Sequence, residues 1–296
     1  MGARGWSLLL LGVLGGLALA SQTAPSAEPA NYIRLATTTS VEDTGLTLAI
    51  TQVFQASTGL EVRVVAGGTG RTLALGAAGE VDVVLAHDPA QEMEAVAKGG
   101  LIERQPLMWN YFVLLGPPQD PAGAGQAPNL VEGFRRVARA GEQGRAVFVS
   151  RGDQSGTHGK EQELWRLAGV SAEGRPWLKA TGQGMGPTLK IADELGGYVL
   201  SVDANVRTFR GKSRLVPLTR PDKRMINRYS VLLANPAHHP HMNQSGARCL
   251  VEWLLGPRGQ AVIAGFGQPD HPGLFMPVGR ASPQKPPRKT GHCQSQ

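Results

Sequence analysis

An arginine, an acid, two hydroxyl side chains and several glycines crowd "FVSRGDQSGTHGKE", residues 148–161, where an apolar strand pattern gives way to a helix pattern. The start of a helix carries unpaired backbone N–H groups and the positive end of the helix dipole, and both favour an anion. Arg151 adds a planar five-donor fork, Ser155 and Thr157 add rotatable hydroxyl donors, and Gly152 and Gly156 let the backbone approach closely. Asp153 is the exception, an acceptor among donors. The loop is built to hold a small oxyanion.

Two more junctions share the design. "ATTTSVEDTG" at 36–45 runs a strand pattern into Thr37, Thr38, Thr39 and Ser40 just before a helix, and "GGTGR" at 67–71 sets Thr69 between glycines. Each alone fits an ordinary N-cap or tight turn. All three fall at the C-terminal ends of strand patterns, and in open α/β sheets that edge is where ligands bind.

The elements that must position these loops alternate. "NYIRLATT" leads to a helix with an apolar face through Leu46, Ile50, Val53 and Phe54. "LEVRVVAG" leads to "GTGRTLALGAAG", and "VDVVLAH" to "DPAQEMEAVAKGG". That βαβαβ order implies parallel strands with helices on their faces. After the strand-like "MWNYFVLLGPP" comes a Pro, Gly and Ala-rich stretch at 117–128, and the alternation restarts with "LVEGFRRVARAG", "RAVFVS", "THGKEQELWRLAGV" and "GYVLS". The restart predicts a second α/β lobe. "NRYSVLLANP" and "GARCLVEWLLG" are expected to return to the first.

Length agrees, since 296 residues exceed what one core usually serves. With 41% hydrophobic and 18% charged residues the composition is that of a soluble globule. Residues 1–20 differ: Arg4 precedes an apolar run ending Ala18-Leu19-Ala20, the small-x-small pattern of a signal peptidase site. At about 15 residues the run is short for a membrane span of roughly 20. We expect an exported, periplasmic protein with a signal peptide at 1–20, a flexible leader at 21–30 and a disordered tail at 279–296.

The net charge of +7 hints at nucleic acid until it is located. Much of the excess comes from Arg4, Arg280, Lys285, Arg288 and Lys289, at the ends of the chain, so a solvated tail accounts for it. Cys249 and Cys293 could pair, but Cys293 sits in a Pro and Lys-rich tail with nothing to pack, and no disulfide framework is indicated.

Other chemistries fit poorly. Ser155 and His158 are close in sequence, but "GDQSGTHG" is not the elbow of a serine hydrolase, which is a remote alternative. "GGTGRTL" lacks the third glycine of a dinucleotide site and the lysine of a P-loop. His238, His239 and His241 in "NPAHHPHMN" are interrupted by proline and read as a solvated loop rather than a metal site. The Arg-Gly-Asp tripeptide at 151–153 carries no weight. No cofactor is expected, and the protein is read as a monomeric binding protein, not an enzyme. Met185 and the tryptophans are expected in the core or hinge, with Trp109 beside the lobe crossing.

"TTTSVEDTGL", "GTGRTLALGAAGEVDVVLAH", "NYFVLLGPPQDPAG", "SRGDQSGTHGKEQELW" and "GQGMGPTLKIADE", taken together, resemble the periplasmic tungstate-binding proteins of ABC importers, the Tup type, over about residues 31–275. The resemblance implies a two-lobed, type II-like periplasmic-binding-protein fold with the ligand in the interlobe cleft. It places lobe 1 at 31–113 and 228–278 and lobe 2 at 114–227. It implies delivery of tungstate, or molybdate, to a membrane permease with its ATPase. By motif match Thr38, Thr39, Ser40, Thr69, Arg151, Ser155, Gly156 and Thr157 become the ligand-binding candidates. Two places depart from the family pattern: Tyr111 stands where an acid is common, and "LSVDAN" (200–205) where a Thr-Asp-Arg-like run is expected.

Phosphate-binding proteins are a rival of the same class. They carry a similar Arg-x-Asp-x-Ser-Gly-Thr loop, in which the acid accepts the proton of hydrogen phosphate. Tungstate and molybdate have no proton at neutral pH, so a carboxylate aimed at them would repel. Either Asp153 turns away to orient Arg151, or the site is for phosphate. The triple-threonine junction and "GQGMGPTL" favour tungstate.

Overall fold

The computed structural model describes residues 32–208, 211, 213–219, 225–267 and 273–278. The expected signal peptide, leader and tail lie outside them. The chain opens with β1 (Tyr32–Thr38), the short α1 (Thr39–Glu42), α2 (Leu46–Thr58), β2 (Glu61–Gly67), α3 (Thr69–Ala77), β3 (Val83–Ala86) and α4 (Pro89–Ala97). Local chemistry sets the ends of these elements. Gly59 closes α2 in the left-handed conformation, at φ 76°. Asp88 caps α4, accepting from the N–H groups of Ala90 and Gln91, with Pro89 in the first turn.

β1 pairs in parallel with β2 on one side and β3 on the other, as the βαβαβ order requires. β4 (Leu101–Gly116) begins at Leu101 rather than Met108 and serves two sets of partners. Up to Tyr111 it pairs antiparallel with β9 (Ile226–Ala234), which joins it to β3. From Phe112 it pairs with β7 (Val199–Val202) and then β8 (Val216–Pro217). The first lobe's strand order is β10-β4-β9-β3-β1-β2, with β10 at Met276–Pro277.

The second lobe contains a 3-10 turn (Ala124–Gln126), α5 (Leu130–Glu142), β5 (Phe148–Ser150), α6 (Gly156–Ala168), β6 (Leu178–Ala180), α7 (Met185–Leu195) and α8 (Asp203–Thr208). β5 pairs in parallel with β6 and bridges through Phe148 to Tyr198 at the edge of β7. The chain then returns through β9 to α9 (Gln244–Leu255) and α10 (Pro257–Gly265), which pack on the first lobe.

The main core runs on from one lobe into the other, joining Ile33, Leu35 and Phe54 to Phe134, Phe148 and Trp165, and only two smaller clusters follow the division. Ala36, Leu73, Val84, Leu101 and Leu232 form one cluster under β1, β3 and β9, and Val113, Val149, Met185, Leu189 and Val199 form another in the second lobe. Met185 is fully buried, as expected, and Trp165 packs on Phe134, Phe148 and Trp177. One expectation fails on α2. Val53 is 42% exposed while Thr47 and Thr51 are buried, because the helix turns its Leu46, Ile50, Phe54 stripe and the threonine side of it inward. A second correction concerns Cys249. It is fully buried on α9 and disulfide-bonded, although the composition of the tail gave no such framework. Cys293 lies outside the described residues.

Candidate oxyanion site

The three hydroxyl-rich junctions meet. Thr38 and Thr39 stand where β1 runs into α1, and Thr69 opens α3 after Gly68. Across from them is the loop between β5 and α6. Its Gly156 N–H donates to Thr69 Oγ1 at 2.9 Å, and Arg151 NH2 donates to Thr39 Oγ1 at 3.4 Å. Both contacts join the first lobe to the second, so six of the eight candidate residues, Thr39, Thr69, Arg151, Ser155, Gly156 and Thr157, stand at one interlobe junction.

Arg151 is 2% exposed. Its NH2 also donates to Asp153 Oδ2, and Asp153 Oδ1 accepts from the Ser155 N–H at 3.2 Å. Both oxygens of the carboxylate are thus committed within the loop. The guanidinium Nε and NH1, and the Thr157 hydroxyl, are buried with no partner among the described residues. A buried cation with two unpaired donor groups is costly unless an acceptor is supplied. A small oxyanion supplies it through charge-assisted hydrogen bonds to the guanidinium.

Ser155 has a second task. Its Oγ caps α6, accepting from the His158 N–H at 3.3 Å. The His158 ring is turned elsewhere, with Nδ1 accepting from the Gln154 N–H at 3.1 Å. No hydrogen bond among the described residues links Ser155 Oγ to that imidazole, so the pair has no nucleophile geometry.

Thr38 and Ser40 open a polar chain that the sequence reading missed. Thr38 Oγ1 lies 3.1 Å from Ser40 Oγ, which lies 3.2 Å from His87 Nε2. His87 Nδ1 lies 3.0 Å from Asn227 Oδ1, and Asn227 Nδ2 donates to Asn110 Oδ1 and to the Tyr229 hydroxyl. Burial pulls the His87 pKa down to about 4, against the Asn227 hydrogen bond, with Arg151 pushing the same way as burial. His87 therefore stands neutral at neutral pH. The signal available in sequence was a histidine at the end of "VDVVLAH", on the same sheet edge as the threonines.

The two departures from the family pattern touch each other. Asp203 Oδ1 accepts from the Tyr111 N–H at 3.2 Å, where β4 passes from one lobe to the other. Elsewhere the structure gives ordinary roles. His239 Nε2 is 2.8 Å from the Ala77 carbonyl, a contact that ties the histidine-rich loop to the end of α3. Among the described residues no group of His, Cys, Asp or Glu is arranged to hold a metal ion.

A two-lobed α/β fold with buried donors converging between the lobes defines a substrate-binding protein of the periplasmic kind. The chain belongs to the PBP superfamily, whose domain model matches residues 22–258. It is 39% identical over 247 residues to the tungstate-binding protein TupA of Peptoclostridium acidaminophilum, covering 83% of this chain and 85% of that one. Among solved structures it resembles the tungstate ABC transporter protein from Geobacter sulfurreducens, at 38% identity and a TM-score of 0.72, covering 79% of this chain and 98% of that one. It also resembles TupA from Desulfovibrio alaskensis G20, at 37% identity and a TM-score of 0.71, covering 83% and 98%.

Proposed function

We propose that this protein is the substrate-binding component of an ABC importer, capturing tungstate between its lobes and delivering it to a membrane permease driven by an ATPase. The relatives named above support the class and the ligand. The observation that carries the reading is at Arg151: a buried guanidinium keeps two donor groups unpaired while Asp153 spends both its oxygens inside the loop. A carboxylate so turned is withdrawn from the ligand, which removes the acceptor that hydrogen phosphate needs and the repulsion that tungstate would meet.

In mechanism the anion is held, not transformed. Nε and NH1 of Arg151 and the Thr157 hydroxyl present donors from the second lobe. Thr38, Thr39, Ser40 and Thr69 line the first-lobe side. The α6 N-terminus adds its dipole. Because the donors come from both lobes, binding and closure are one event. Molybdate, with the same charge and shape, fits the same donors and is the second ligand we propose. Export to the periplasm rests on residues 1–20, with maturation near Ser21, which N-terminal sequencing of periplasmic material tests.

Calorimetric titration with tungstate, molybdate, sulfate and phosphate in turn tests the reading. Tight binding of tungstate with no heat from phosphate is expected. Tight phosphate binding with no response to tungstate would overturn it.

A further inference from the structure

The polar chain behind the cleft has a direction, and that direction is set at its far end. Asn227 Nδ2 donates to Asn110 Oδ1 at 2.9 Å and to the Tyr229 hydroxyl at 2.8 Å, which turns Asn227 Oδ1 to His87 Nδ1. An amide oxygen accepts and cannot donate, so Nδ1 carries the ring proton. Burial keeps the ring neutral, which leaves Nε2 as a lone-pair acceptor. Ser40 Oγ, 3.2 Å away, therefore donates inward to His87, and Thr38 Oγ1 donates to Ser40. In this polarity both hydroxyls spend their protons away from the cleft.

That is the wrong polarity for a ligand with four acceptor oxygens and no proton. The same atoms support the opposite one. With the Asn227 and Asn110 amides turned end for end, the Tyr229 hydroxyl and Asn110 Nδ2 donate to Asn227 Oδ1, and Asn227 Nδ2 donates to His87 Nδ1. The ring then carries its proton on Nε2 and donates to Ser40, which frees the Ser40 and Thr38 protons for the cleft. One proton leaves Nδ1 and one reaches Nε2 by exchange with water while the lobes are apart, so charge balances. Asn110 Nδ2, buried with no partner among the described residues in the first polarity, gains an acceptor in the second while Asn110 Oδ1 gives up its donor, so the two polarities leave the same number of groups unpaired at Asn110.

We propose that His87 sets the donor direction of Thr38 and Ser40, resting as the Nδ1–H tautomer and adopting the Nε2–H tautomer when an unprotonated tetrahedral oxyanion binds. His87 acts through Ser40 and is a positioning residue; it makes the cleft match an anion that only accepts. The inference rests on reading the cleft as a tungstate site.

The test is nitrogen NMR of mature protein labelled at histidine, in a sample whose tungstate binding is first measured by calorimetry. His87→Gln identifies the His87 signals by their loss. The expected result is a ring in which Nδ1 is protonated without ligand and Nε2 is protonated at saturation with sodium tungstate. Tungstate binding with the tautomer unchanged overturns the inference alone. Absence of tungstate binding overturns the functional reading and this inference with it. An Asn227→Asp variant, whose carboxylate cannot donate to Nδ1, keeps the proton on Nδ1, and it is read at a pH where the same nitrogen signals show its His87 ring neutral, which holds the first polarity. Folded by circular dichroism, it is expected to lose at least tenfold in tungstate affinity, and wild-type affinity in that variant would also overturn the proposal.

Discussion

Gly156 and His87 face each other across the lobes so closely that Gly156 tolerates no added methyl. A Cβ on Gly156 would fall 2.9 Å from His87 Cε1 and 3.1 Å from the His87 carbonyl oxygen. The carbonyl is backbone, so no rotamer change of the imidazole relieves the contact. Gly156→Ala is expected to hold the lobes apart. Overpacking of this kind costs about 1–3 kcal/mol, so tungstate should bind roughly tenfold or more weakly. Small-angle scattering at saturating tungstate should show less compaction than in wild type. Equal affinity and compaction would mean the two lobes do not meet at this point in the bound state.

Arg151→Lys keeps the charge and removes the planar fork. A point ammonium cannot hold Asp153 and Thr39 as NH2 does while also presenting separate donors at Nε and NH1. The expected loss is on the order of 2 kcal/mol or more, as for other charged hydrogen bonds. Calorimetry decides this, and unchanged tungstate affinity would take Arg151 out of the site.

Asp153→Asn separates two oxyanion chemistries. Because the carboxylate holds Arg151 NH2 and the Ser155 N–H, the change should leave the preference for tungstate over phosphate intact, with a modest loss from a less firmly held arginine. Competitive titration at neutral pH reads the outcome. A variant that newly admits tungstate into a phosphate-selective protein would reassign the ligand.

Glu161 should give the protein a pH-dependent stability. It is 3% exposed on α6, and burial pushes its carboxyl up to about 7, against hydrogen bonds from Ser150, Trp165 and the Arg151 backbone. A carboxyl raised in the folded state binds a proton that the unfolded chain has released. Its contribution is therefore full below the ordinary glutamate pKa and is lost as pH rises through about 7. Glu161→Gln should raise the melting temperature at pH 8 and change it little at pH 4.5. The gap should amount to a few kcal/mol at most, by about 1.4 kcal/mol per pKa unit. A melting-temperature difference independent of pH would show that Glu161 does not titrate in this range.

The parts of the site read from sequence were those written locally. Strand-to-helix junctions announce themselves through hydroxyls and glycines, so Thr38, Thr69 and Ser155 were singled out as candidates by type and spacing together with the family resemblance. The loop's acid was seen, but its direction was not, because that depends on where the Ser155 N–H and Arg151 NH2 come to lie. His87 was missed for a plainer reason. Its partner Asn227 is 140 residues away, brought in by β9, and no local pattern carries that information. The same holds for the short β6, β8 and β10, which exist as strands through their neighbours. Helix α7 was seen as a motif and not as a helix, its Gly184-Met185-Gly186-Pro187 opening masking the periodicity that follows.

β4 is unbroken where its partners change between Tyr111 and Phe112. The two halves of the molecule are therefore joined here by ladder-bonded backbone and not by slack chain, and any opening must be taken up as torsion along an extended ribbon. Such a ribbon behaves as a spring: the angle between the halves has a restoring force. The change of partners falls beside Asn110, whose side chain closes the far end of the histidine chain. The hinge between the halves and the polar chain behind the cleft therefore share one short stretch of strand, so a change in the angle between the lobes strains both together.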